Sequence, residues 1–359
     1  MTTATAVVPL AATSRPGSRA KVMYLSFLTL ILILVLLELT IGAVQIPLSA
    51  ILSFFKSGVT GLESWDRILW TARMPRLVNA LSSGAALGVC GVLLQTLFRN
   101  PLADPYVMGT VHGARLGVAV LLAITGVIGP AFGGTDMWGS IGLPAAAAIG
   151  SGAVTVLLAL AAQRLERAAL LIFGLMLGFT CLALIDAALE FAGDSQAGVF
   201  RFWNHGSFNG ATWDQLAVML PTVAVGALLA LSQVKPLNAL VIGEDYASSM
   251  GVHVLRARVI SFVAASILAG IVTAYSGPIA FLGLVVAQIS RMALRTGDHR
   301  RLLPAAFLLG AVLSLTADLI SHLPFKGEPP HLDMLLGVIG APVIMWSLLR
   351  KKNRFALEF

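Results

Sequence analysis

Three sets of residues carry the chemistry open to this chain, and none is a catalytic set. Arg73 and Arg76 stand three residues apart, so a helix puts both guanidinium groups on one face. At the end of an apolar run, such a pair anchors the helix among lipid headgroups. Asp186 and Glu190 stand four apart inside another apolar run and also share a face. Carboxylates inside a membrane are costly, so they either line a water-filled passage or pair with a base, here Arg115 or Arg201. The third set is a mixed polar segment, KPLNALVIGEDYASSMGVHVLRAR, from Lys235 to Arg258. The chain lacks GxxxxGK[ST] for cradling ATP phosphates, the HExxH zinc helix and the GxSxG nucleophile turn. His112, His205, His253, His299, His322 and His331 are scattered. Glu328, His331 and Asp333, around Pro329 and Pro330, are the nearest approach to a metal set and read as a solvated turn. Uphill transport by such a chain draws its energy from a partner or an ion gradient.

The elements that must position these residues are membrane helices. The chain has 359 residues, 57% hydrophobic and 11% charged, with mean hydropathy +0.88. A soluble domain carries about a quarter charged residues. Cys90 and Cys181 lie in apolar runs and read as small buried side chains, without a disulfide framework. Residues 1–21 read as a polar cytoplasmic tail, 22–350 as the membrane domain and 351–359 as a second cytoplasmic tail. The apolar runs predict ten spans, at 22–43, 74–98, 106–128, 141–162, 168–192, 213–233, 257–276, 279–295, 303–321 and 333–350. With a cytoplasmic N-terminus, 17 of the 24 Lys and Arg residues fall inside and six outside, with Arg115 within a span. That bias favours ten spans and both termini cytoplasmic. The net charge of +7 is thus distributed by topology, with no nucleic-acid surface implied.

Arg73 to Gly117 organises the rest. Two apolar runs flank the corner Arg99-Asn100-Pro101-Leu102-Ala103-Asp104-Pro105. Gly84 and Gly88 lie four apart in the first, and Gly109, Gly113 and Gly117 repeat that spacing in the second. Small residues at i and i+4 let helix backbones approach closely in lipid, so the two runs predict a packed helical hairpin. Further on, Glu244 to Met250 predicts a short amphipathic helix ended by Gly251. Such a loop is either a docking surface or a helix lying in the lipid interface.

The run RMPR, then the spaced glycines, RNPLADP and GA, resembles the signature of permease subunits of type II ATP-binding-cassette importers of the FecCD type. So do KPLN with the later glycines, SGPIAFLGLVV, GDHR, Ala317-Asp318 and Gly340-Ala341-Pro342. The similarity runs from about Gly42 to Leu349. It implies an all-α polytopic permease in a bacterial inner membrane, most simply a homodimer on two ATPase subunits that hold the ATP and Mg. No cofactor is implied in the chain itself. A periplasmic or lipoprotein binding protein would deliver an iron–siderophore chelate, with haem or cobalamin as the alternative cargo. Lys235, Pro236, Asn238, Gly243, Glu244, Ala247 and Gly251, in the segment 235–256, match the family's paired coupling helices, which dock in the ATPase. Arg73 and Arg76 match rim positions that pair with the binding protein's glutamates, and His322 with Lys326 stands where a third basic residue is usual. Asp186, Glu190 and Arg115 would face the translocation path.

Two departures stand out. Ala287-Gln288 replaces the usual Pro-His, and Arg115 replaces a small residue. The reading from another class is an ion-coupled secondary transporter built on Asp186, Glu190 and Arg115. It would have no use for a docking segment at 235–256. An intramembrane enzyme is disfavoured by the missing catalytic set.

Overall fold

The computed structural model describes residues 17–42, 44–128, 142–323 and 330–350. The described elements are helices: α1 (Gly17–Thr40), α2 (Leu48–Ser57), α3 (Glu63–Ile68), α4 (Met74–Leu97), α5 (Thr110–Ile128), α6 (Leu143–Ala161) and α7 (Arg167–Asn204). After them come α8 (Trp213–Ser232), α9 (Val234–Ile242), α10 (Glu244–Ser249), α11 (Val254–Ser276), α12 (Leu282–Leu294), α13 (His299–Ser321) and α14 (Leu332–Arg350). Among the described residues, seven helices are long and apolar enough to cross a membrane. They include α1, α4, α6, α7, α8, α11 and α13, while α5, α12 and α14 are shorter apolar helices at the remaining expected spans.

Local chemistry sets the boundaries. Pro75 opens α4, where a missing N–H costs nothing. α4 stops at Arg99, which adopts φ 45. Thr212 caps α8 through a reciprocal pair with Gln215. The Asp298 carboxylate accepts the Arg300 N–H at 3.0 Å and opens α13. Gly193, at φ 77, breaks α7 between two helical lengths, so this helix runs on to Asn204, past the expected end at 192. A π-helical turn, Leu69–Arg73, joins α3 to α4. α1 begins at Gly17, inside the stretch expected as tail.

α4 is the centre of the bundle and is buried on nearly every side. It packs against α13, α11, α12 and α8, while α5 lies against α6 and α7. The expected α4–α5 hairpin is therefore not the packing unit. The glycines do permit backbone contact, but with other partners. A Cβ on Gly84 would collide with the Gly310 carbonyl and Ser314, and one on Gly88 with the Ala306 carbonyl, all of α13. Gly113 and Gly117 meet Gly150 and Ala146 of α6. Gly109 lies one residue before α5, at φ 80, against Gly174 and Gly178 of α7. Spacing found the small residues, but it could not name the helix each one faces. A buried polar cluster also ties α4 to the end of α11. Ser276 and Ser83 hydroxyls donate to Asn79 Oδ1 at 2.9 and 3.1 Å.

Gly84→Val has little room to relax, because it meets the Gly310 carbonyl and the Ser314 side chain of the facing helix, whose hydroxyl is held by the Ala80 carbonyl. We expect it to cost about 1–3 kcal/mol or more, whereas Gly152→Ala, with open space around it, should be neutral or stabilising by up to about 1 kcal/mol. Thermal unfolding of the two purified variants in detergent measures the contrast. Equal melting temperatures would contradict the α4–α13 crossing.

Candidate functional site

Two polar networks lie at opposite ends of α4, and a row of charged side chains lies away from it. At the first end, Arg76 Nε donates to Asp318 Oδ2 at 2.8 Å and its Nη2 to Glu38 Oε2 at 2.9 Å. Asp318 and Glu38 are almost wholly buried, at 1% and 4% side-chain exposure. Arg76 Nη2 also lies 2.5 Å from His322 Nδ1. The same Nδ1 lies 2.8 Å from the Asp318 carbonyl, and Nε2 lies 3.1 Å from Asn209 Oδ1. Burial holds the His322 imidazole below its ordinary range, opposed by the Asp318 carbonyl and carboxylate. Arg73 is only 8% exposed, and its terminal nitrogens donate to the Leu39 and Val44 carbonyls. Both arginines are thus engaged within the chain. Arg73 holds the end of α1 to the π-turn, and Arg76 bridges two buried carboxyl groups. A docking role for Arg73 would require that packing to open. Lys326 and Glu328 lie outside the described residues. Glu38, in α1, is a partner of Arg76 from 38 positions away.

At the second end stand α9 and α10, joined at Gly243. Lys235 is exposed, Leu237 and Ala247 are fully buried, and Glu244 pairs with Arg258 at the start of α11. Gly251 takes the left-handed φ of 79, and its N–H donates to the Ser248 carbonyl at 3.0 Å. The helix ended by Gly251 stands as expected, with Ser249 as its last residue. The preceding α9, which carries Lys235, Pro236 and Asn238, appears in the sequence only through its resemblance to the family's KPLN pattern. Ile242, Tyr246 and Met250 expose 65%, 45% and 65% of their surface. The corner after α4 is fixed to this end. Arg99 Nη2 donates to the Leu240 carbonyl at 2.6 Å, and Gln288, in place of the family's usual histidine, donates to the Pro101 carbonyl at 3.1 Å. Inside the corner, burial pushes Asp104 up to about 6, against N–H groups of Tyr106 and Leu284 that favour the carboxylate.

Asp186 and Glu190 are exposed on one face of α7, and no ion pair joins them to Arg115 or Arg201 among the described residues. The pairing alternative is therefore not realised. Arg115 Nη1 instead donates to the Tyr106 hydroxyl at 3.3 Å, and the Tyr106 ring meets His112 edge-on at 4.7 Å. His331 stacks on His205 at 4.1 Å, and Asp333 lies in the first turn of α14. Among the described residues, no three His, Cys, Asp or Glu side chains converge to hold a metal.

The FecCD transport family matches residues 30–350. The chain belongs to the FecCD transport family. As a member, it is the membrane permease subunit of an ATP-binding-cassette importer. It is 34% identical over 288 residues to the vitamin B12 import system permease BtuC of Klebsiella pneumoniae, covering 80% of this chain and 83% of that one. The corresponding permease of Citrobacter koseri is 32% identical over 290 residues, 80% of this chain and 84% of the relative. A solved inward-facing structure, described as a metal-chelate type ABC transporter, superposes with TM-score 0.76 at 25% identity. It covers 92% of this chain and 99% of that one. The arrangement around α4 is thus set in the architecture of FecCD permeases.

Arg76→Met leaves two buried carboxylates without their cation and should cost about 3–5 kcal/mol. Adding Glu38→Gln and Asp318→Asn to that variant should restore most of the loss. Thermal unfolding in detergent reads both effects, and an Arg76→Met variant as stable as the parent would refute the cluster described.

Proposed function

We propose that two copies of this FecCD permease form the translocation pathway of an inner-membrane importer. ATP is hydrolysed by two ATPase subunits, and an external binding protein brings the cargo. The observation that carries this reading is the α9–α10 segment. It is built outside the long apolar helices, it is tied to them by hydrogen bonds, and it exposes Ile242, Tyr246 and Met250 beside Lys235 and Asp245. An exposed apolar strip rimmed by charge fits a protein partner. Both termini and this segment are then cytoplasmic, in line with the distribution of basic residues. The Arg76 and His322 end faces the binding protein. Docking there uses charge, so its affinity should fall with added salt. Asp186 and Glu190 give a polar lining to the passage between subunits, and Arg115 adds a cation to it.

The cargo in this reading is a bulky metal chelate. The vitamin B12 permeases among the relatives support a corrinoid. The likeness to a metal-chelate transporter supports an iron–siderophore complex as the second reading. Titrating the purified binding protein with cyanocobalamin and with ferric siderophores decides between them.

The energy source is tested in proteoliposomes holding the chain with and without its ATPase subunit. Asp186→Asn with Glu190→Gln should leave uptake dependent on ATP and insensitive to collapse of the proton gradient, with a rate changed a few-fold at most. Uptake driven by a proton gradient alone, and lost in the double variant, would overturn the importer mechanism in favour of an ion-coupled carrier.

A further inference from the structure

At the Asn238 end, a chain of hydrogen bonds crosses four helices. Asn238, in α9, fixes the direction. Its Nδ2 lies 2.8 Å from Asp298 Oδ1, and a carboxylate only accepts. Its Oδ1 accepts the backbone N–H of His299 at 2.8 Å. The amide orientation is therefore determined by two partners that have no choice. The same Oδ1 lies 2.7 Å from His299 Nδ1. That oxygen has no proton to give, so Nδ1 carries the hydrogen and donates. In a neutral ring Nε2 is then an acceptor. Thr96 Oγ1, in α4, lies 2.9 Å away and shares its one proton between this nitrogen and the Val92 carbonyl one turn back, at 2.8 Å. Thr96 in turn receives from Arg291 Nη2, in α12, at 2.8 Å. The sequence of donors runs from Arg291 to Thr96, His299, Asn238 and Asp298. It begins on a cation and ends on an anion, the order in which each bond polarises and strengthens the next. His299 is fully buried and Thr96 is 4% exposed, so water does not compete at the centre of the chain.

We propose that this chain is the transmission element of the importer, with Thr96 and His299 as positioning residues that fix the α9–α10 coupling segment to α4, α12 and α13. The proposal rests on the reading of α9–α10 as the ATPase docking site. The α9 backbone is otherwise held to the corner after α4 by Arg99 on the Leu240 carbonyl. A shift of α9 alone would break the bond between Asn238 and His299, and only a joint movement of α9 with the N-terminus of α13 preserves it. α13 passes α4 at Gly310 and reaches Arg76 through Asp318 at the far end. The relay thus makes movement at the ATPase side and movement at the Arg76 end parts of one displacement.

The test uses the chain reconstituted with its ATPase subunit and binding protein, and reads ATP hydrolysis with and without the binding protein. Thr96→Val keeps the volume and removes the hydroxyl, and Thr96→Ser restores it. In Thr96→Val, basal hydrolysis should be unchanged while stimulation by the binding protein falls about fivefold, the effect of one lost buried hydrogen bond on a coupled equilibrium. Thr96→Ser should recover the stimulation. A cysteine at Tyr246 (Y246C), cross-linked to the ATPase subunit, reports docking in each background. Full stimulation in Thr96→Val with the cross-link formed overturns the relay and leaves the docking site standing. Absence of the cross-link in the Y246C chain with Thr96 intact overturns the docking site and the relay together. Should Thr96→Val fail to accumulate in membranes, His299→Asn decides the matter. Its amide stands where Nδ1 was and keeps the contact to Asn238, but it does not reach Thr96, so stimulation should fall to the same degree.

Discussion

The backbone contact between α4 and α13 is the constraint on which the rest of this permease depends. Where Gly84 faces Gly310, each Cα lacks the carbon that would hold the helices apart. In lipid, helices gain little from burying apolar side chains against one another, so close packing and polar contacts carry association. Backbones brought this near also bring their flanking side chains together. On one side of the crossing, Arg76 reaches Asp318, and on the other, Thr96 reaches His299. Both polar networks are consequences of a single crossing.

Those networks differ in kind. The Arg76 network is a charge cluster, with two deeply buried carboxyl groups around one guanidinium and an imidazole beside them. Its parts are expensive to separate, because any one left alone is an unsolvated charge. It holds α1, α4 and α13 as a unit. The Thr96 and His299 network is a run of single hydrogen bonds with a charge only at each terminus. Each bond is modest by itself, and the run holds α9 to α4, α12 and α13 through the sum of its links.

The departures from the family pattern fit this division. Gln288 occupies a position usually held by histidine and spends its amide on the Pro101 carbonyl, which pins α12 to the corner after α4. Arg115, where a small residue is usual, is held by Tyr106 away from the carboxylates of α7. Neither change disturbs the α4–α13 crossing: α12 packs beside it, and α5 lies against α6 and α7.

How much of this was legible in the sequence follows the range of each signal. Hydropathy over windows of about twenty residues located the long helices. Local chemistry, as at Gly251, fixed an end correctly. The KPLN and RNPLADP patterns pointed to the family. Spacing also marked Gly84, Gly88, Gly113 and Gly117 as packing positions, because a small residue every fourth place is a property of one helix alone. Tertiary structure decided the partners. The glycines of α4 meet α13 and those of α5 meet α6, where the sequence suggested that they meet each other. Arg73 and Arg76 looked like a matched pair at a rim. One is sealed by carbonyls of the α1 end, and the other is bound to carboxylates 38 and 242 positions away. The relay through Thr96, His299 and Asn238 gave no local sign, since its members lie 203 and 61 positions apart. Periodicity records which residues share a face of one helix. Which face meets which is set by the packing of all the helices at once, and no window along the chain contains that information.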